Sequence, residues 1–348
     1  MPLVLQRIGL ALLVVAALAA PLYLSNYNLS LTGRFLALSL SAIGLVMLWG
    51  EGGILSLGQG VFFGLGGYVL AMHLKLVGLE VGETMPDFMV WSNLKAIPHW
   101  WMIFQNPVVA IIGVVAVPSA FAALFGWLIF RRRIGGVYFA LITQALALAF
   151  ATLLISQQAY TGGFNGLTNY KTLFGLNLNN PKVNLGLYLI TVAIVVGAVV
   201  LCRFLLASRF GKVLRATRDN TNRVRFLGYD PTPYKIFAFV IAAALSGLSG
   251  ALFALHAGVM SPALVGVVPS IEMVVWAAVG GRISVVGAVI GALVVNFAKD
   301  KISTALPELW LYGLGALFII VVTVMPKGLA GMIPDAKAKK VSAEEPAV

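Results

Sequence analysis

The sequence predicts an all-α fold, a polytopic transmembrane helix bundle of about eight to ten spans with glycine-broken or re-entrant segments. Of its 348 residues, 60% are hydrophobic and only 10% are charged, and the charges cluster between long apolar runs. Soluble domains carry about 25% charged residues. A soluble fold of this length could not bury so much apolar surface, whereas a bilayer accepts it on the outside of the protein.

Nine apolar runs are candidate spans, because a helix needs about 20 residues to cross the hydrocarbon core. We place them at 8–25, 34–50, 53–75, 107–130, 137–156, 185–206, 234–256, 271–298 and 307–326. Helices are expected because lipid offers exposed backbone no hydrogen-bond partner. Strands of a barrel would alternate apolar and polar residues, whereas these runs are apolar on every side.

The first run has two interpretations. Arg7 precedes it and small residues end it (Ala16, Ala17, Ala19 and Ala20), a pattern that imitates a cleaved signal peptide. Many further spans follow, and we therefore favour a first span that is retained.

The basic residues predict the orientation of the bundle. The triplet 131–133 ends one span, and the connection 203–235 holds eight Lys or Arg against two Asp. Both blocks should face the cytoplasm, and the two spans between them place them on the same side. The connections 76–106 and 157–184 then lie outside. The net charge of +12 lies in such blocks and not on one continuous face, so we expect no nucleic-acid partner.

The C-terminal region does not fit a simple count of single passes. Its lysines predict a cytoplasmic location (Lys327, Lys337, Lys339 and Lys340), yet counting from 203–235 places it outside. Either one later segment is re-entrant or one run crosses twice, and we suspect 271–298, which Gly280 and Gly281 interrupt. We expect one transmembrane domain over 1–334 and a polar, disordered tail over 335–348.

A glycine-rich segment predicts part of a solute path. The residues that we assign to the path are Ser56, Gly58, Gln59, Gly60, Gly64, Gln144, Gly280 and Gly281. The first five lie in the glycine-rich segment, Gln144 lies in another span, and Gly280 and Gly281 form a second glycine pair. Gly52-Gly53 and Gly280-Gly281 each begin the pattern Gly-Gly-x-x-Ser, as in repeats that flank a path near the membrane midplane. Helix packing alone would explain the glycines. Gln59 favours the path, and neutral polar side chains suit an uncharged polar solute.

Three acidic residues lie near the ends of spans: Glu51, Glu272 and Asp300. Acids inside a membrane are candidates for functions such as proton relay. At the ends of spans solvation or pairing is easy, and we therefore expect a structural role.

The motifs exclude most enzyme chemistry. The chain has no Gly-x4-Gly-Lys-Ser/Thr, no dinucleotide fingerprint and no nucleophile or zinc motif. Its three His are scattered, and the single cysteine, Cys202, permits no internal disulfide. We expect a protein that is not an enzyme and has no cofactor, so that any ATP would be bound by another chain.

The basic connection predicts a short amphipathic helix outside the membrane that fits into a partner. The positions that we assign to this surface are Arg209, Gly211, Arg215, Ala216, Arg218, Asp219, Asn220 and Gly228. The alternative is a patch for anionic lipid headgroups, to which each Lys or Arg adds about 1 kcal/mol. Such a patch would need charge but not the ordered Ala, Gly and Pro positions.

Several motifs in this order resemble the LivM-like permeases of branched-chain-amino-acid-type ABC importers, over roughly residues 34–332. They are LSLGQGVFFGLGGY (55–68), VYFALITQALA (137–147), TGGFNGL (161–167), SRFGKVLRATRDN (208–220), GYDPTPYKIFAFVIAAALSGLSGAL (228–252), SPALVGVVPSIEMVVWAAVGG (261–281) and MPKGLAG (325–331). Arg282 departs from the small or polar residue frequent in the family, which leaves the local geometry open.

The resemblance implies a multi-pass protein of the bacterial inner membrane. It also implies a second permease subunit in a heterodimer, two cytoplasmic ATPase subunits and a periplasmic substrate-binding protein, with the coupling helix within about 208–230. Two segments, 82–101 and 163–178, are most similar to the urea permeases of the family and make urea the expected solute. Branched-chain amino acids are the alternative, and a passive channel or ion-coupled carrier is a further one.

Overall fold

The computed structural model describes residues 3–79, 84–170, 172–173, 175–178, 180–305, 309–325 and 328–331. The tail expected at 335–348 lies outside the described residues. The longer helices and the two that follow α6 are α1 (Leu3–Tyr23), α2 (Asn26–Leu45), α3 (Gln59–Val77), α4 (Pro107–Arg131), α5 (Val137–Ser156), α6 (Pro181–Ala207), α7 (Arg209–Asp219), α8 (Thr221–Phe226), α9 (Pro231–Ala257), α10 (Val267–Gly280), α11 (Val285–Ala305) and α12 (Trp310–Val324).

Short elements complete the described part of the chain. A π-helical turn, Val46–Glu51, extends α2, and the other short helices are Asp87–Trp91, His99–Met102, Ile103–Gln105, Gln158–Thr161, Gly163–Asn165, Pro262–Leu264 and Gly328–Gly331. The strands are β1 (Leu167–Thr168), β2 (Thr172–Leu173), β3 (Leu176–Asn177) and β4 (Val259–Met260). β1 pairs antiparallel with β4, and β2 pairs antiparallel with β3.

Seven described helical segments are long and apolar enough to cross a membrane, which confirms the predicted all-α bundle. They are α2 with its extension, α3, α4, α5, α6, α9 and the segment Pro262–Gly280. α2 and α3 are mostly buried and pack against α9, whereas α4 and α5 are mostly exposed. The apolar exterior that composition requires is therefore on the outer helices. α1 packs on α6, where the Tyr188 hydroxyl donates to the Ala17 carbonyl at 2.9 Å.

Contacts between distant residues define two ends of the bundle. At one end, the basic end, Arg218 donates to the Gly50 carbonyl and Gly328 lies against Gly281. At the other, the outer end, Asn184 donates to Asn26, and the Trp101 indole donates to the Tyr160 carbonyl. The described parts of the connections 76–106 and 157–184 thus meet at the end opposite the basic end, and their location outside the membrane stays a prediction.

The run 271–298 is two antiparallel helices, which resolves the inconsistent count of passes. α10 runs to Gly280, the chain reverses at Gly281 with φ +112°, and α11 returns. The reversal is compact because Gly280 and Gly287 lie in backbone contact, so that a Cβ on either would overlap the other's carbonyl. The extra pass places Gly328 at the basic end, on the side that the tail lysines predict.

Candidate translocation path and coupling surface

The glycines of α3 allow close packing against α9 and the chain before α10. A Cβ at Gly60 would overlap the Val265 carbonyl, and one at Gly66 would overlap Gly247. A Cβ at Gly58 would overlap the carbonyl of Thr143 on α5. Small residues permit such backbone approach between membrane helices. Packing accounts for these glycines, and their part in a solute path stays a prediction.

The start of α3 and the segment just before it bury polar side chains. Ser56 and Gln59 are both fully buried. The Gln59 Oε1 atom accepts a hydrogen bond from the Ser246 hydroxyl of α9 at 3.0 Å, whereas its Nε2 atom has no partner among the described residues. A buried amide nitrogen without a partner costs about 1–3 kcal/mol. Gln59 therefore has a hydrogen-bonding capacity that packing alone does not use.

The α5 residue that contacts the start of α3 is Thr143, the neighbour of Gln144. The Leu57 backbone N–H donates to the Thr143 hydroxyl oxygen at 3.0 Å. Gln144 itself is half-buried. Because successive residues of a helix point about 100° apart, Gln144 faces a different side of α5.

The second glycine pair lies at the basic end. Gly280 and Gly281 are buried at the reversal between α10 and α11. A Cβ at Gly50 would overlap the Arg282 carbonyl, so the two Gly-Gly breaks, at Gly53 with φ +68° and at Gly281, lie near each other. The Arg282 side chain is exposed, and the departure from the family pattern disturbs no packing.

The basic connection forms two capped helices. The Ser208 hydroxyl accepts from the Phe210 N–H at 3.2 Å and caps α7, and the Asn220 side chain accepts from the Arg223 N–H at 3.0 Å and caps α8. Side-chain oxygens at these positions satisfy helix N–H groups that lack an internal partner. The predicted amphipathic helix is therefore α7, with a second short helix after it.

α7 is anchored on the π-helical turn that ends α2. The Arg215 Nη1 atom lies 3.2 Å from the Glu51 Oε2 atom, and Arg218 donates to the Gly50 carbonyl at 2.8 Å. Leu214 is fully buried beside Gly52. π-Helical turns are rare and frequent at functional sites. This one gives α7 a direct connection to the most buried span.

The remaining predicted coupling residues divide by exposure. Gly211 is buried, and a Cβ there would overlap the Leu206 carbonyl. The exposed ones are Arg209, Ala216, Asp219, Asn220 and Gly228.

Sequence reasoning missed the apolar residues at the tip of this connection. Phe226 is 92% exposed, Leu227 is 72% exposed, and Tyr229 is also exposed. The sequence signal that could have indicated them is the presence of large apolar side chains between charged residues in this connection. A cluster of exposed apolar residues next to an anchored helix is typical of an interaction surface.

Sequence reasoning also missed the partners of the acids. Glu51 pairs with Arg215, and Glu272 pairs with Lys299, whose Nζ atom lies 2.6 Å from Oε1. Each pair joins different helices, a placement that the sequence alone does not indicate. In the described part of the chain, no group of three or more His, Cys, Asp or Glu could hold a metal ion.

These features define a class: a multi-pass membrane protein, of the inner membrane in bacteria, with polar groups enclosed among its spans and an anchored amphipathic helix at its basic end. Residues 27–322 match the family described as the permease component of branched-chain amino acid transport systems. The chain belongs to this family of LivM-like permeases.

Curated relatives agree with this assignment. The chain is 26% identical to the high-affinity branched-chain amino acid transport system permease protein LivM of Salmonella typhimurium, over 96% of this chain and 77% of the relative. It is 25% identical to LivH of Escherichia coli and 23% identical to BraD of Pseudomonas aeruginosa, each over 84% of this chain and 91% of the relative. No solved structure matches the chain.

The names of these relatives bear on two expectations. They are permeases of transport systems, which confirms a transport subunit and not an enzyme. They refer to branched-chain amino acids and not to urea, so the comparisons favour the alternative solute over the expected one.

Proposed function

We propose that the chain is a membrane-spanning subunit of an ATP-driven importer and that it translocates branched-chain amino acids. The family match over residues 27–322 supports the transport role. The structural observation that carries the ATP coupling is the anchoring of α7 through Arg215 on Glu51. A force on α7 from a cytoplasmic partner would thereby reach α2, the most buried span.

The proposed assembly contains a second permease subunit in a heterodimer, two cytoplasmic ATPase subunits, a periplasmic substrate-binding protein and surrounding membrane lipid. Arg-rich loops face the cytoplasm, which places the basic end toward the ATPases. The outer end, where 76–106 meets 157–184, then faces the binding protein.

The proposed solute path runs between this subunit and the second permease. Along this chain it passes Ser56, Gly58, Gln59, Gly60, Gly64, Gln144, Gly280 and Gly281. The unpartnered amide nitrogen of Gln59 supports this placement.

Urea is the second candidate solute. The segments 82–101 and 163–178 favour it by their resemblance to urea permeases. Residues 84–101 of the first segment pack at the outer end, where Lys75 lies 3.9 Å from Asp87.

Uptake into vesicles tests the solute. The complex with its partners is reconstituted, and uptake of radiolabelled leucine and of urea is compared with ATP on the ATPase side. We expect leucine to accumulate and excess urea not to compete. Accumulation of urea alone would replace the amino acid with the second candidate, and uptake of neither would refute both.

The exposed tip tests the coupling surface. Replacing Phe226 and Leu227 by Ala should release the ATPase subunits during purification, because an anchored apolar contact is lost. The matched control is Phe164→Ala, an exposed aromatic residue of the outer-end connection. Retention of the ATPases and of ATP-driven uptake by the double variant would contradict this role.

A further inference from the structure

A cavity of about 370 Å³ opens between α2, α10 and α11 and contains charged side chains. Its polar lining includes Arg34, Glu272, Asn296, Lys299 and Asp300. The cavity is separate from the contacts of α7.

The cavity lies between the helices of the bundle, toward the outer end. Arg34 is eight residues from the outer-end start of α2, and Asp300 is five residues from the outer-end limit of α11. At 1.5 Å per residue these positions are roughly 12 Å and 8 Å from the helix ends. Charged side chains inside a bundle of membrane helices are costly and commonly mark solute or ion sites.

The formal charges of the lining residues sum to zero, yet two of its hydrogen-bond donors have no partner among the described residues. Glu272 is 6% exposed and binds the Lys299 ammonium through both carboxylate oxygens, at 2.6 and 2.7 Å. The Nε atom of Arg34 is buried without a partner among the described residues. The indole Nε1 of Trp276, which is 2% exposed, likewise has none in the described part of the chain.

Apart from the polar residues above and Ser303, the wall is apolar. It includes Phe35, Phe63, Phe253, Leu264 and Met273. A cavity lined by two cationic groups, two anionic groups and several aromatic rings suits a neutral solute that has a polar head and an aliphatic part. The charges balance within the protein, so a solute with a net charge would be left uncompensated.

The cavity reaches the glycine-rich start of α3. Phe63 lies one turn beyond Gln59, and the Gly60 N–H donates to the Ser270 hydroxyl at 3.0 Å, next to the cavity residue Pro269. A solute bound here would therefore stand at the outer end of the proposed path.

We propose that this cavity is a solute-binding site for a molecule of no net charge that carries nitrogen donors beside an oxygen acceptor. For an α-amino acid, the carboxylate meets Arg34 and Trp276, the ammonium meets Asp300 and Glu272, and the aliphatic side chain lies on the aromatic wall. Urea presents the same donors and acceptor without the aliphatic part. The inference rests on the proposed function and deepens it.

The test measures uptake by the reconstituted complex with the variants Arg34→Gln and Asp300→Asn. KM should rise by about 10-fold or more in each, the loss expected for a hydrogen bond to a charged group. The matched control is Lys301→Gln, an exposed charge next to Asp300 that does not line the cavity, and its KM should not change.

Substrate analogues distinguish the two candidate solutes, leucine and urea. If leucine is the substrate, Arg34→Gln should erase the preference for leucine over leucinamide, which lacks the carboxylate. If urea is the substrate, both variants should raise the KM for urea, and excess leucine should not compete.

Two outcomes would overturn the site. One is ATP-driven uptake with wild-type KM in Arg34→Gln and Asp300→Asn, and the other is an equal rise in Lys301→Gln. In either case the transport function stands, whereas loss of all uptake by the wild type refutes the function itself. If Arg34→Gln lowers the thermal midpoint, Trp276→Phe decides, because it keeps an aromatic side chain and removes the indole N–H donor: an unchanged KM then overturns the site.

Discussion

Replacing Glu51 by Gln should uncouple ATP hydrolysis from transport by loosening α7 from the end of α2. The Glu51 carboxylate lies 3.2 Å from the Arg215 guanidinium, and its side chain is 8% exposed, against 39% for Arg215. Arg215 also donates to the Leu206 carbonyl at 3.0 Å. The variant removes the charge of the acceptor and leaves the neighbouring helices in place.

The magnitude follows from the burial of the pair. Breaking a buried pair costs about 3–5 kcal/mol because one charge stays uncompensated, whereas an exposed pair contributes about 0–1 kcal/mol. With Glu51 buried and Arg215 partly exposed, about 2 kcal/mol is expected. That amount shifts the equilibrium between anchored and detached α7 by roughly 30-fold.

The assay compares solute taken up with ATP hydrolysed in vesicles containing the whole complex. Glu51→Gln should lower this ratio several-fold while ATP hydrolysis continues. The control is Asp87→Asn, which removes an acid at the outer end whose side chain is 47% exposed and lies 3.9 Å from Lys75, and should leave the ratio unchanged.

A double-variant comparison isolates the pair. Arg215→Met should be more harmful than Arg215→Met combined with Glu51→Gln, because the single change strands a buried carboxylate. Equal ratios for Glu51→Gln, Asp87→Asn and the wild type would refute the proposed transmission through α2.

Three further predictions concern stability and access. Gly250→Ala should lower the thermal midpoint in detergent, at a cost of about 1–3 kcal/mol, because its Cβ would overlap the Phe63 carbonyl. The control is Gly186→Ala on α6, which has open space around it and should leave the midpoint unchanged. Equal midpoints for the two variants would contradict the tight crossing of α3 and α9. The pKa of Asp230 is held below its ordinary value mainly by the hydrogen bond from the Thr232 N–H, so the stabilisation from this carboxylate is present above the unfolded pKa near 4 and declines as pH falls through the lower folded pKa. Asp230→Ala should therefore lower the free energy of unfolding by about 1 kcal/mol at pH 7. Unfolding curves that show the same deficit far below the folded pKa would contradict this. Cys202 is fully buried, so a maleimide should label it only after denaturation, and rapid labelling of the folded protein would contradict the packing of α6.

Much of the fold could be predicted because apolar length alone defines a span. Eight of the nine predicted runs each correspond to a single helix, six of these helices are long and apolar enough to cross a membrane, and only 271–298 divides. The sequence signal for this division is the pair of adjacent glycines that interrupts the run. The start of α3 at Gln59 was predicted less well, since the chain between Gly52 and Gly58 is apolar but not helical.

The site could be predicted only in part, because its geometry depends on residues far apart in the chain. The anchor of Arg215 on Glu51 joins positions 164 residues apart, and no local pattern indicates it. Glu272 was expected to be a structural residue at the end of a span. The structure pairs it with Lys299 and places it in the second turn of α10, on the wall of a cavity that also contains Arg34.

ATP-dependent uptake by the assembled complex, measured beside the chain alone, tests the central claim most directly. Vesicles that contain this chain with its second permease, ATPases and binding protein should accumulate solute only when ATP is supplied to the ATPase side. Vesicles that contain the chain alone should take up none. Uptake by the chain alone, with or without an ion gradient, would contradict the account and identify a channel or carrier.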